Sequence, residues 1–598
     1  MLHNYVNSFN EINKNHKFRT DIRDPKAIQF HKNINIWLSK PNGSFFELAQ
    51  GVATSKYTFN ISPQTTITDK INDPIYLIQQ YYIPTDKTRR NEIKKCLQYN
   101  CSNDAIDKII LLNEKTYTSE ELGTDSPKIK QVVINSRLTY KKVFEYAAEL
   151  QNCFIILANS DIFFDLSIKR LRNSGMTNEK KMYTLLRYEF DGKTELKKCR
   201  LFGPRPDSQD SWIWHSKWKL PNNIRNIFDI NLGKPGCDNK ILYLLSIVGF
   251  SCYNEPLWIH SYHFHPSQIR GYTPKSPDTI SLPYIGLFPT GKGFLSSNTN
   301  STFDIIRENI ELCEYITNKF TIENKPFIIP RIAGIENEVA MFGALLIQQG
   351  SSEEGAMKTI KNALPVMKTN AGISLTNIED ICLYSKNYLD AFHKCERYFW
   401  WAPWGEVVKW IPRSFDFIIT NFTGPKFDAI TLDIFHHIYR EPWTLALKGK
   451  RILIISSFIE SIKEKIPIRD KIYGIDLFPD CEFVFIKPPQ THGNNDSRRF
   501  PEELADFVEN VRNIKDSFDI ALCSCGGYGN AICSAIYDMN KSAIYVGGVL
   551  QMYFGIYGER WMRERPDIMR MFLNKYWSRP KESERPKNFK NVEKSCYW

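Results

Sequence analysis

From Asp73 onward the chain alternates short apolar runs with amphipathic stretches. DPIYLIQQYYI reads as a strand, RRNEIKKCLQYN as a helix, DKIILLNE and KQVVINS as two strands, and TYKKVFEYAAEL as a helix leading into FIILANSDIFFD. Strands alternating with helices at this rhythm predict βαβ units and a parallel sheet. KKMYTLLRYEF, CRLFGPRPDSQDSWIWHS and LWIHSYHFHPSQIRGY continue the pattern, and a Gly233-Lys234-Pro235-Gly236-Cys237-Asp238-Asn239 turn opens the helix KILYLLSIVGF. A Pro-, Gly- and Ser-rich passage from about Thr273 to Thr302 reads as a linker or closing segment. A helix over Ile305 to Lys319 follows it. A second module starts near Lys325, with FIIPRIAGIENEVAMFGALLI, DFIITNF, GKRILIISSF, CEFVFIKP, FDIALCSCGGYGNAICSAIY and KSAIYVGGVLQMYFG as its elements. The expected fold class is α/β, two consecutive Rossmann-like domains with a short β-rich N-terminal extension. The expected boundaries are 1–70 for the extension, 71–285 for the first domain, 286–322 for a linker and 323–598 for the second domain.

Composition narrows the class. A chain of 598 residues is too long for one core, which agrees with two modules. No window long enough to span a bilayer is free of charge, so no transmembrane segment is expected. The start, MLHNYVNSFNEINKNHKF, lacks a signal-peptide layout. The 14 cysteines are scattered, several within apolar strands, which reads as reduced thiols in a cytoplasmic setting. The tight pair Cys523 and Cys525 has no second pair at zinc-ligand spacing. A formal charge of +12 is interleaved with acids, giving either a solvated basic surface or one that attracts phosphate-bearing ligands such as nucleotide sugars. No nucleic-acid-binding motif accompanies it, so no nucleic-acid partner is expected.

The chemistry concentrates where strands end, because ligands of parallel sheets bind outside the carboxyl ends of the strands. Asp161 and Asp165 follow the apolar run FIILA. Carboxylates there either cap the next helix or hold a divalent cation, Mg2+ or Mn2+, against a diphosphate. A transferase that breaks a sugar–diphosphate bond needs such a cation, since its leaving group gathers negative charge. Asp210, in Asp207-Ser208-Gln209-Asp210, precedes SWIW, whose rings either stack on sugars or pack a core. Asp238 stands at a helix start, as a cap or as the base for an attacking hydroxyl, although a helix N-terminus lowers basicity. His263 and His265, two apart in SYHFH, point to one side of an extended segment, where one could complete a metal shell.

In this order YLIQQYYIP, ANSDIFFD, LLRYEF, FGPRPDSQDSWIW, GKPGCDN and YHFHPSQIRGY resemble a group of GT-A-type glycosyltransferase domains of bacteria and large DNA viruses, over roughly residues 72 to 275. The resemblance implies that Asp161 with Asp165 takes the place of the metal-binding acidic turn, that Asp238 first and Asp210 second serve as base, and that His263 or His265 joins the metal. The chain has S-D-I-F-F-D where the group has D-x-D. A viral chain would work in the host cytoplasm.

In the second module, Gly526, Gly527 and Gly529 connect an apolar strand to the helix AICSAIY. They form either a tight structural turn or a backbone approach to a phosphate. Glu336 and Glu338 lie two apart just before a helix, either as partners of its dipole or as ligands. With SAIYVGGVLQMYFGIYGERW these segments resemble the GT-D group, which implies a donor site at Glu336 and Glu338 with the glycine turn. KPPQTHGNNDSRRF, holding Gln490, His492, Asp496, Arg498 and Arg499, reads as a polar loop, and the basic tail from Glu559 to Lys594 as a strap. The whole predicts a bifunctional glycosyltransferase taking nucleotide-sugar donors and a glycan acceptor. The alternative keeps the first enzyme and makes the second domain an acceptor-binding or assembly module. Oligomeric state, sugar and linkage are not encoded in these motifs.

Overall fold

The computed structural model describes residues 72–203, 208–267, 279–280, 287, 304–349, 357–358, 360–400, 412–491, 493, 498–585, 588–591 and 597. The N-terminal extension, most of the Thr273–Thr302 passage, Asp207, His492 and Asp496 lie outside these residues. The chain divides into two compact units, Met1–Phe303 and Asp304–Trp598.

The first unit is built on a seven-stranded sheet, ordered β10-β6-β9-β4-β1-β2-β3. Its strands are β1 (Ile75–Gln79), β2 (Lys108–Asn113), β3 (Ile129–Val133), β4 (Phe154–Ala158), β6 (Lys181–Leu185), β9 (Ser211–His215) and β10 (Ser251–Tyr253). Between β4 and β6 the chain forms β5 (Ile162–Phe164). The central strands pair in parallel, while β9 runs antiparallel to both β4 and β6. Every residue of β4 and β9 is buried, as their apolar runs require. One face of the sheet packs Leu77, Ile109, Leu111, Ile156 and Ile213 into a single core. Trp212 and Trp214 are core residues, so SWIW packs the interior and offers no stacking surface. The helix Lys87–Cys101 starts where Asp86 accepts a hydrogen bond from the Arg89 backbone N–H. A four-stranded sheet, β5-β11-β7-β8, adds β7 (Tyr188–Phe190), β8 (Arg200–Leu201) and β11 (Ser261–Phe264).

The second unit holds five parallel strands in the order β12-β18-β17-β15-β16: β12 (Ile328–Ile329), β15 (Arg451–Ser456), β16 (Glu482–Ile486), β17 (Ile520–Ser524) and β18 (Ser542–Tyr545), with β13 (Tyr398–Trp400) and β14 (Lys426–Asp428) as a separate parallel pair. The chain leaves β15 toward one edge and β17 toward the other, so the direction of winding changes between these two neighbours. The helix Asp304–Asn318 belongs to this unit, where Glu308 accepts hydrogen bonds from the Asp428 N–H and the Thr431 hydroxyl. DFIITNF lies in the helix Pro412–Asn421 and its neighbouring turn. The C-terminal segment is strapped to the helix Ile459–Lys465, whose first N–H groups donate to the Glu584 carboxylate. Among the described residues every cysteine is a free thiol, and no helix is long and apolar enough to cross a membrane.

Candidate active site

Strand register assembles the site of the first unit. β11 pairs antiparallel with β5, placing His263 opposite Ile162, and the Phe264 N–H donates to the Asp161 carbonyl at 3.0 Å. β11 also pairs in parallel with β7, placing His263 opposite Glu189. Residues more than 70 positions apart thereby converge. Side-chain atoms of Asp161, His263 and His265 all lie within 4.8 Å of one another, and all three residues are buried. His263 Nε2 is 3.2 Å from Asp161 Oδ2, and its Nδ1 is 3.0 Å from Glu189 Oε2. A carboxylate behind one ring nitrogen holds the N–H there and turns the other lone pair toward the site, the second-shell arrangement common to metal-bound histidines.

The donor set fits a divalent cation. One carboxylate and two imidazoles favour a transition ion such as Mn2+ over Mg2+, which prefers oxygen alone. Without an ion, burial and Arg187 lower the pKa of His263, but Asp161 and Glu189 outweigh them and raise it to about 9. A proton then stands where the cation's charge would. Burial alone would raise Asp161, yet the His263 ring and the Arg89 guanidinium hold its carboxyl well below the usual range. Arg89 Nη2 donates to Asp161 Oδ2 at 2.6 Å, and its Nη1 donates to the buried Glu92.

Asp165 stands apart from this group. Alternation along β11 separates His263 and His265 from His260 and Tyr262, which face the other way. Asp165 Oδ2 is 2.9 Å from His260 Nδ1 and accepts from the Tyr262 hydroxyl, while Oδ1 caps the 3-10 helix Leu166–Asn173 at the Ser167 N–H. Burial raises its pKa, and His260 with Ser167 lowers it further, to about 2. Asp165 takes the capping use and pairs with His260, and Asp161 meets His263 and His265.

The remaining acids connect to the same network. Arg187 donates to Glu189 at 2.9 Å and to Asp210 Oδ2 at 2.5 Å, and Asn159 Nδ2 donates to Asp210 Oδ1. Asp210 is therefore committed to a guanidinium and an amide. Asp238, on the first turn of the helix Cys237–Ile247, accepts from the Gln209 N–H and from the Cys237 thiol. Burial first and Asp210 second push its pKa up to about 7. The lowered basicity expected from the helix terminus is overridden, because desolvation and a like charge outweigh a partial dipole charge. Arg89, Arg187, Glu189 and Glu92 escaped the sequence reading. The visible signal was Arg187-Tyr188-Glu189, two charges at alternate positions inside an apolar strand.

In the second unit, Glu336 and Glu338 lie within the first turn of the helix Ile335–Gln349 rather than before it. Two residues on a helix are about 200° apart, so the pair splits. Glu336 acts electrostatically on Tyr384, Tyr388 and Tyr545, whereas Glu338 is exposed. The Tyr545 hydroxyl donates to the Gly526 carbonyl at 2.9 Å and that of Tyr384 to Gly527 at 3.2 Å, so Glu336 and the glycine turn share one neighbourhood. Gly526 has φ +52°. A Cβ on Gly527 would lie 2.4 Å from Ile373, and one on Gly529 2.3 Å from the Tyr545 ring. These two glycines admit neighbouring side chains. Arg498 and Arg499 of the polar loop pair with Asp506 and Asp380.

No protein-family model matches the chain, and no curated protein does. Among solved structures, the chain is similar to a mannosyltransferase from Pyrobaculum calidifontis in complex with GDP-Man and Mn2+, at 9% identity and a TM-score of 0.23, over 41% of this chain and 66% of that one. GalNAc-T7 with UDP, GalNAc and Mn2+ matches at 9% identity and a TM-score of 0.24, over 34% of this chain and 46% of that one. The glycosyltransferase GlyE of Streptococcus pneumoniae TIGR4 matches at 10% identity and a TM-score of 0.18, over 81% of this chain and all of that one. These overlaps are at low identity, and the chemistry proposed below rests on this chain's own side chains.

Proposed function

We propose that the first unit is a nucleotide-sugar-dependent glycosyltransferase in which Asp161, His263 and His265 hold Mn2+ or Mg2+ and Asp238 is the base. The observation that carries the reading is the buried Asp161–His263–His265 group, joined through Glu189 and Arg187 to the acids Asp210 and, beside it, Asp238. The cation, when bound, supplies positive charge to the departing nucleoside diphosphate. Asp238, with a pKa near working pH, takes the proton of the acceptor hydroxyl. The acceptor oxygen bonds to the anomeric carbon as the bond from that carbon to the diphosphate breaks. Asp210, ion-paired with Arg187, is the neighbouring acid that raises the pKa of Asp238 and so sustains its basicity. Asp161→Ala should abolish Mn2+-dependent sugar transfer and donor hydrolysis. Intact activity in that variant would show the metal assignment to be wrong.

The finer reading is a bifunctional enzyme, the second unit transferring another sugar to the same glycan from a site that includes Glu336 and the Gly526–Gly529 turn. A specific observation favours its rival, a non-catalytic acceptor-binding module: Glu338 faces outward, and side chains occupy the space beside Gly527 and Gly529. Glu336→Gln combined with Glu338→Gln separates the two. Loss of one of two products supports two active sites, and an unchanged product set supports the rival.

A further inference from the structure

The second unit carries a cationic cluster away from the glycine turn. At the carboxyl end of β12, the Arg331 N–H donates to Asn530 Oδ1 and the Arg331 carbonyl accepts from Asn530 Nδ2, pinning its backbone. Its guanidinium lies 4.7 Å over the Tyr545 ring, at the end of neighbouring β18. It also fills the space over Gly547: a Cβ there would stand 2.3 Å from Arg331 Nη2, and φ is +78°. Beside it, a Cβ on Gly548 would meet Tyr597 at 2.4 Å, and that ring carries Arg560 at 5.4 Å. The Gly547-Gly548 pair thus brings a cation from the β12 loop together with one from the helix Glu559–Glu564.

A third element closes the cluster. The Tyr553 hydroxyl donates to the Leu432 carbonyl at 2.6 Å, holding the 429–436 segment against the short helix Leu550–Tyr553 that follows the glycine pair. Asp433 in that segment lies within electrostatic reach of Arg565, Arg331 and Arg560, with Glu564 the other acid nearby. Burial raises its pKa to about 6 against the pull of the three arginines. Arg331 stands at the carboxyl end of the parallel sheet, where such sheets bind ligands, and Arg560, 3.9 Å from Glu564, and Arg565 share its neighbourhood around Asp433; guanidinium groups suit phosphoryl oxygens.

We infer that Arg331, Arg560 and Arg565 form a diphosphate-binding site beside the Gly547-Gly548 turn, one that neutralises its ligand with guanidinium groups in place of a metal. The assignment of that diphosphate to a nucleotide sugar rests on the second-unit reading above; the binding of diphosphate itself does not.

Titration calorimetry of the full chain with inorganic pyrophosphate in excess EDTA tests the site. Binding is expected without metal, weakening as salt screens the charges. Arg560→Met and Arg565→Met should each weaken it by about tenfold or more, the loss of a charge-assisted contact. Arg331→Lys, which keeps the charge but not the fork, should weaken it by less, and far-ultraviolet circular dichroism checks that each variant is folded. No pyrophosphate binding in EDTA, or binding that survives all three substitutions in folded protein, overturns the site. If pyrophosphate binds through the arginines but UDP- and GDP-sugars do not, the anion site stands and the nucleotide-sugar reading of the second unit falls.

Discussion

At the residue scale, the pKa of Asp238 makes a directional prediction. A carboxylate lifted to about 7 is half neutral there, and only its ionised form accepts a proton. Transfer should therefore rise with pH through about 7 and level off above it, measured as the pH profile of kcat/KM. Asp238→Asn should lower kcat by ~10²–10⁴-fold, the usual weight of general-base catalysis. The stability effect has the opposite sign. A raised folded pKa contributes stability at pH values below the unfolded carboxylate value and loses it as pH rises through about 7. Asp238→Asn should thus gain thermal stability relative to the native chain at pH 8 but not at pH 4. Glu189→Gln tests the residue behind the metal group: it should weaken Mn2+ binding by about 10–100-fold while leaving the fold intact. Asp161, His263 and Asp238 were legible in the sequence because each stands in a short motif. Glu189 and Arg89 were not, because their role depends on strand and helix neighbours 70 or more positions away.

At the element scale, periodicity identified the elements but left undecided what their side chains meet. FIILA and IALCS form buried strands as their apolar runs require. Glu336 and Glu338 read as a pair just before a helix, but within its first turn the angle of about 200° between them sends them to different surroundings. The glycines divide similarly. Gly529→Ala, with its Cβ 2.3 Å from a buried tyrosine ring, should lower stability by ~1–3 kcal/mol, the cost of overpacking, as read by the midpoint of thermal or urea unfolding. An open phosphate cradle would tolerate that methyl group, so an unchanged midpoint would restore the ligand role of this glycine.

At the scale of the whole molecule, each unit has its own hydrophobic core, one around Leu77, Ile109 and Ile156 and one around Leu453, Ala521 and Ile532. Such a chain is not expected to unfold in two states. Scanning calorimetry should resolve two transitions. Mn2+ at about 100 times its dissociation constant should raise only the one belonging to the first unit, by ~2.7 kcal/mol. Asp161→Ala should remove that shift; a shift of both transitions, or its persistence in the variant, counts against a single metal group in the first unit. The sequence by itself determined the α/β class, two modules and the acids at strand ends, because these depend on local periodicity and on charges that interrupt apolar runs. Only the tertiary structure decided that Asp161 rather than Asp165 meets His263 and His265, that Asp238 lies beside Asp210, and that Arg331 packs over Gly547. Strand register and burial bring those groups together, and neither is a property of any single stretch of chain.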